Sequence, residues 1–353
     1  MAPTPTSYGI YLPFVSKEYV GPGVSLESKM AGGVVSTETM GEMQRRLASW
    51  PRPADDNGMG IHFVRIGYFN PWEADYNIER LLDMKMKWST VLYSNKDQLA
   101  WAAEKFKEAG IMVIWRRGIA PYDRYDEWER DVQILKERGM VPYMQLYNEP
   151  SLAQEWHDVP MDRRVFQENF LHAAWDVYRS GGYVGLQIID EDLLIDTLRF
   201  LKERDAWPIL ERMFFVPHCY GLNHPPDYTW DRYGAMGFKF YADIFRREIG
   251  FVPPMIVGEG GWYIDAHEDD RWGSITDKQH RDYHVEVFNW FRTGVLSDGS
   301  ELPDYLFSFC PWLISEGKDV AAWFDNPHYG DRTLTYEAVM ALPSFRRRFS
   351  WEK

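Results

Sequence analysis

The sequence predicts a (β/α)8 TIM barrel of the α/β class, a single domain with an N-terminal extension. Three observations carry this. From Gly60 onward, short apolar runs alternate with amphipathic stretches eight times, the pattern of parallel strands joined by right-handed helical crossovers. The chain has 353 residues, enough for a closed barrel, which uses about 250 or more. No Gly-x-Gly-x-x-Gly follows the first strand and no Walker loop is present, so an open nucleotide-binding sheet lacks its signal.

Each element has its own reason. Residues 1–59 carry no long periodic pattern and are expected to form a linker or strap that packs on the barrel or leads into it; residues 60–353 form the barrel. Within the first segment, Tyr8 to Val15 reads as an edge strand or strap and Thr39 to Leu47 as a short helix. The strands are expected at Ile61 to Gly67, Ser89 to Tyr93, Ile111 to Trp115, Val141 to Tyr147, Tyr183 to Ile189, Met213 to Pro217, Met255 to Val257 and Tyr305 to Phe309. Between and after them, helices are expected at Asp75 to Met86, Lys96 to Ala109, Tyr125 to Arg138, Met161 to Arg179, Glu191 to Arg204, Asp231 to Ile249, Thr276 to Thr293 and Leu334 to Leu342. Several stop at a glycine (Gly110, Gly139, Gly181, Gly250, Gly294), as helices commonly do.

Composition narrows the function. The net charge of −14 argues against nucleic acid and against an anionic membrane surface as partners. No apolar run reaches the ~18 residues of a membrane helix. The Pro/Thr-rich start, Met1 to Thr6, reads as the trimmed remnant of a secreted precursor, which makes the expected location extracellular. No protein partner is evident. Aromatic residues make up 16%, with 16 Trp and 21 Tyr, which fits either a large core or a cleft lined with flat rings for sugar faces. Two cysteines cannot make a disulfide framework. Cys219 lies between His218 and Tyr220 and should point away from the lumen, while Cys310 shares the parity of Trp312 and should point in, so both thiols are expected free.

In such barrels the active site lies at the C-terminal ends of the strands. Those ends read Arg65, Asn95, Arg117, Asn148-Glu149, Asp190-Glu191, His218-Cys219-Tyr220, Glu259 and Trp312. Glu149 ends strand four, before Pro150, and Glu259 ends strand seven, between Gly258 and Gly260. Two lone carboxylates on these strands face each other across a barrel. His218 and Tyr220, two apart on a strand, point the same way. Asp190, Glu191 and Asp192 read as acids favoured at a helix N-terminus. His267 to Asp270 lacks calcium-loop spacing and reads as a solvated acidic loop. No His/Cys cluster has zinc spacing, and no metal or other cofactor is expected.

Asn148-Glu149-Pro150, His218-x-Tyr220, Gly258-Glu259-Gly260 and Trp312, in that strand order, resemble the clan A retaining glycoside hydrolases, and the His-x-Tyr pair most resembles family 5. The resemblance covers roughly residues 60–345. It implies that Glu149 is the general acid/base and Glu259 the nucleophile. By the same resemblance Asn148 meets the sugar 2-hydroxyl, Tyr220 holds Glu259, His218 lines the subsite of the cleaved sugar and Trp312 is its platform. Where such enzymes place an arginine at the end of strand two, this chain has Leu92-Tyr93-Ser94-Asn95, so Arg65 or Arg117 is expected to contact the nucleophile. Trp115 and Trp262 are assigned to the substrate cleft, and Trp72 and Trp230 fit either packing or a sugar platform. The implied activity is double-displacement hydrolysis of a neutral β-linked polysaccharide or oligosaccharide, endo-acting because several of the loops are long and aromatic. An exo-acting β-glycosidase, a non-catalytic sugar-binding barrel and a metal-dependent hydrolase are the alternatives.

Overall fold

The computed structural model describes residues 38–63, 71–326 and 328–352. Helix α1 (Met40–Ala48) precedes the barrel. Then come β1 (Gly60–His62), α2 (Pro71–Asp83), β2 (Trp88–Tyr93), α3 (Lys96–Ala109), β3 (Met112–Arg117), α4 (Trp128–Glu137), β4 (Tyr143–Gln145) and α5 (Arg163–Arg179). They are followed by β5 (Tyr183–Leu186), α6 (Glu191–Glu203), α7 (Trp207–Glu211), β6 (Met213–Phe215), β7 (His218–Tyr220) and α8 (Phe238–Ile249). The chain continues with β8 (Met255–Val257), β9 (Glu259–Gly261), α9 (Asp277–Thr293), β10 (Leu306–Phe309) and α10 (Thr333–Met340).

Eight strands form one parallel sheet in the order β1-β2-β3-β4-β5-β6-β8-β10. A parallel bridge between Met59 and Phe309 joins its two edges, and the Phe309 N–H donates to Gly58 O at 3.1 Å. The fold is therefore a (β/α)8 TIM barrel. Strand sequences are apolar because both faces are covered: the lumen on one side, the helices on the other. Among the described residues no helix is long and apolar enough to cross a membrane.

The short helix α7 and the division of the sixth strand are not apparent in the sequence pattern. Pro217, which has no N–H to give a ladder, separates β6 from β7. Beyond it the two neighbouring strands go on pairing, β7 in parallel with β9, His218 opposite Glu259. Helix α8 begins at Phe238 rather than Asp231. The residues before it form a loop in which the His224 ring lies on Tyr228, centroids 4.0 Å apart, beside Trp272. The expected strand Tyr8 to Val15, the end of the expected first strand beyond Phe63, and Arg65 lie outside the described residues.

The segment from Trp50 to Gly58 closes the N-terminal end of the barrel. Trp50 lies against Tyr143 and Tyr183, the first residues of β4 and β5, and Asp56 accepts from the indole of Trp88, the first residue of β2, at 2.8 Å. Trp88, Trp115, Trp128, Trp156, Trp262, Trp290 and Trp323 are all fully buried. Seven of the sixteen tryptophans thus serve the core. Cys219 and Cys310 are both free and buried.

Gly261 closes β9 at φ +82°, and a Cβ there would lie 2.5 Å from Nε2 of His284. His284 is itself buried and its Nδ1 donates to the His280 carbonyl at 2.7 Å, which holds the ring in place. Gly261→Ala should therefore lower stability by about 1–3 kcal/mol, read as a lower urea midpoint at unchanged slope; an unmoved midpoint would show that the turn tolerates a side chain.

Candidate active site

The paired strands β7 and β9 build the centre of the site. Their register sets His218 beside Glu259, and Tyr220, two residues further, on the same side. The Tyr220 hydroxyl donates to Oε2 of Glu259 at 2.8 Å. Nδ1 of His218 lies 2.8 Å from Oε1 of Glu149 and 3.5 Å from Oε2 of Glu259, so one imidazole N–H bridges the two carboxyls. Glu149, His218 and Glu259 each present an atom within 4.8 Å of the others. The two glutamates expected to face each other across the barrel do so.

Glu149 is held in an unusual backbone conformation. Its φ is +37°, a region that side-chain-bearing residues seldom occupy and that is often found at functional sites. The N–H of Glu149 donates to Oε1 of Gln187, and its carbonyl accepts from Leu152 at 2.8 Å. These bonds turn the carboxyl into the lumen. Oε1 meets His218, while Oε2 makes no hydrogen bond to a described residue.

The cation on Glu259 is Arg116. Its Nη1 donates to Oε1 of Glu259, and both side chains are nearly buried. Arg117, the expected partner, faces the other way: it lies over the Tyr125 ring at 3.8 Å and 3.7 Å from Asp131. The correction is one of strand parity. Arg116 is level with Gln145 of β4, whose amide reaches Asn148 inside the barrel. Trp115, on the opposite face like Arg117, packs against Phe106 of α3. It belongs to the layer between strands and helices and not to the cleft. Trp262 is likewise a packing residue, its indole N–H bound to His224 O at 2.7 Å and its ring against Tyr283 and His284. The period-two reading applied to His218 and Tyr220 would have selected Arg116 had it been applied to β3.

Trp312 does lie at the site. Its ring is 4.3 Å from His62, and its indole N–H donates to Asp319 at 2.8 Å. Tyr220 packs against the small apolar cluster that contains Trp312. His62 itself carried no motif in the sequence: it is the last residue of β1, whereas the expected strand ran on to Gly67. Its Nδ1 faces the Phe63 carbonyl at 2.6 Å. A carbonyl only accepts, so this nitrogen carries the hydrogen and Nε2 is left as an acceptor. Asn148 is fixed at both ends of its amide: Oδ1 accepts from Gln145 at 3.2 Å and Nδ2 donates to Glu155 at 2.9 Å. Glu155 and Gln187 were also invisible as site residues, because their roles depend on a returning loop and on the neighbouring strand. Asp190 caps α6, accepting from Leu193 N–H at 2.8 Å. In the acidic loop, Asp269 is paired with Arg271 and His224.

Electrostatics divides these groups. Burial pushes the Glu259 carboxyl up, but His218 and Arg116, together with the Tyr220 phenol, outweigh it and hold it well below the usual carboxylate range. Burial lowers His218, yet the charge of Glu259 and the bond to Glu149 lift it above the ordinary histidine value. For His62 burial wins, taking the imidazole down to about 3, so it is neutral. Burial, along with the charge on Glu259, keeps the Tyr220 phenol protonated far above its usual range. Burial also raises Glu155, with Glu149 and Glu259 adding to it and Arg116 opposing. The site thus sets one firmly ionised carboxylate next to a second carboxyl, with protonated donors around both. Such a pair can act as a nucleophile or base opposite an acid.

No protein-family model matches the chain, and no curated protein matches it. Among solved structures it is similar to a calcium-binding mutant of beta-glucuronidase 2 from Bacteroides uniformis, at 15% identity and TM-score 0.49 over 82% of this chain and 34% of that one. It is also similar to a beta-glucuronidase from Ruminococcus gnavus in complex with D-glucuronic acid, at 12% identity and TM-score 0.43 over 80% and 48%. A maturase of the FeFe-hydrogenase matches at 13% identity and TM-score 0.38 over 78% and 62%. The chain spans about a third to three fifths of the length of these chains.

Removing Arg116 leaves a buried carboxylate without its cation, a loss of about 3–5 kcal/mol. Because the folded Glu259 titrates below the ordinary value of 4.5, the stabilisation is fully present above that pH and disappears as pH falls through the lower folded range. Arg116→Met should therefore be much less stable than wild type at about pH 7, with the gap closing toward about pH 3 in urea titrations. A gap that does not change with pH would mean that the cost of losing Arg116 does not come from Glu259.

Proposed function

We propose that this chain is a retaining β-glycoside hydrolase, with Glu259 as nucleophile and Glu149 as general acid/base. One observation carries the reading: Glu259, held ionised by Arg116, faces Glu149 with carboxyl oxygens within 4.8 Å. Retaining glycosidases use carboxyls about 5–5.5 Å apart, whereas inverting ones leave about 6.5–9.5 Å for a water.

In the first step the Glu259 carboxylate attacks the anomeric carbon while Glu149 gives its proton to the departing glycosidic oxygen. The product is a glycosyl ester on Glu259 and an ionised Glu149. In the second step Glu149 takes a proton from water, the water oxygen bonds to the same carbon, and Glu259 leaves as the carboxylate. Arg116 and Tyr220 stabilise that carboxylate before attack and as it departs. His218 donates to Glu149 once that group is ionised. Asn148, His62 and Trp312 line the space beside the two carboxyls, where they address hydroxyls and a ring face.

The substrate is a neutral β-linked polysaccharide or oligosaccharide. Arg116 is committed to Glu259 and Arg117 to Asp131, so neither is available to pair with a sugar carboxylate. Endo action remains part of the reading, and the sizes of the products test it: mixed oligomers support it, and monosaccharide alone gives the exo alternative.

A screen of neutral β-glycans and aryl β-glycosides should show turnover by wild type and none by Glu259→Gln, with sugar binding kept. Glu149→Ala should lose about 10²–10⁴-fold in rate on poor leaving groups, and much less on activated aryl glycosides, where added azide should yield a glycosyl azide. Proton NMR of the first product should show the β-anomer. An α-anomer, or undiminished turnover by Glu259→Gln, would refute the mechanism.

A further inference from the structure

Glu155 is a carboxyl inside the site that the two-step reaction does not use. It sits in a single 3-10 turn, Ala153–Trp156, six residues after Glu149. The loop that carries it folds back on itself. The Glu149 carbonyl accepts from Leu152 N–H, and the Pro150 carbonyl accepts from the buried Trp156 indole at 2.8 Å. This returns Glu155 to Asn148, whose Nδ2 donates to its Oε1 at 2.9 Å. Among the described residues no lysine, arginine or histidine lies within ion-pair distance of Glu155. Its charge is nonetheless felt at Arg116, while burial and the charges of Glu149 and Glu259 raise the Glu155 carboxyl itself.

We propose that Glu155 is a positioning residue, one that fixes the orientation of the Asn148 amide. The geometry supplies the effect. An ionised carboxylate only accepts, so the NH2 end of Asn148 must face Glu155 and the oxygen must face Gln145. The amide that flanks Glu149 is then offered to the sugar in one orientation instead of two. The inference rests on the reading of Glu149 and Glu259 as acid/base and nucleophile, and part of its test does not depend on turnover.

Four variants decide it: Glu155→Gln, Glu155→Ala, Asn148→Ala and the double alanine variant. Glu155→Gln keeps an acceptor for Asn148, so it should keep most of kcat. Glu155→Ala releases Asn148 and should lose about tenfold or more in kcat, more than the Gln variant loses. If Glu155 acts through Asn148, the double variant should be no worse than Asn148→Ala alone. Additive losses, or equal losses in the Gln and Ala variants, would overturn the proposal. Nitrogen-15 NMR of the Asn148 side-chain amide, assigned with Asn148→Ala, reads the orientation without substrate. The Asn148 NH2 resonances should move in Glu155→Ala and much less in Glu155→Gln; resonances unmoved in Glu155→Ala would refute the proposal even if wild type cleaves no sugar offered.

Discussion

The ion pair between Arg116 and Glu259 is the constraint around which the catalytic face is arranged. A carboxylate this deeply buried is untenable alone, because the loss of hydration outweighs most single interactions. Here one guanidinium, one phenol and one imidazole edge share it. Each of those groups comes from a different place: β3, and the two ends of β7. Holding Glu259 ionised therefore requires β3, β7 and β9 to be in mutual register. The charge thereby helps to specify the barrel as well as the chemistry.

The backbone meets that requirement by departing from regular barrel geometry at two points. At Pro217 the register between the two neighbouring strands shifts by one residue, from Phe215 opposite Met255 to His218 opposite Glu259, which brings His218, Tyr220 and Glu259 onto one ladder. At Glu149 the chain adopts a left-handed conformation and is held there by Gln187 from the end of β5. The apolar core that supports these departures is heavy with tryptophan, and so is the space between strands and helices. The surrounding packing is rigid enough to keep a strained residue in place.

Much of this was legible in the sequence. Alternating apolar and amphipathic runs are local, and they located all eight barrel strands and the helices between them. Glu149 and Glu259 stood out because proline and glycine break the chain beside them, and the His218/Tyr220 pair because strand parity is a period of two. What stayed hidden depends on contacts distant in sequence. Arg116 and Arg117 are both plausible by type, and only the choice of face separates them. Glu155 gains its place from a loop that closes on Trp156, and Gln187 from its neighbour across the sheet. Trp115 and Trp262 were misplaced because a flat ring suits a core as well as a sugar, and burial alone tells the two apart.

The floor of the barrel has a consequence for the order of assembly. The backbone N–H of Arg347 donates to Asp56 O at 2.8 Å, and its buried guanidinium reaches the carbonyls of Leu306, Phe307 and Pro303. Residues nearly three hundred positions apart thus complete the same surface beneath the strands. During synthesis that part of the floor cannot be completed until Arg347 has been made. Such a long-range closure is slow to form, so the floor begun by Trp50 to Gly58 is sealed only when the last strand and the segment after α10 have joined it.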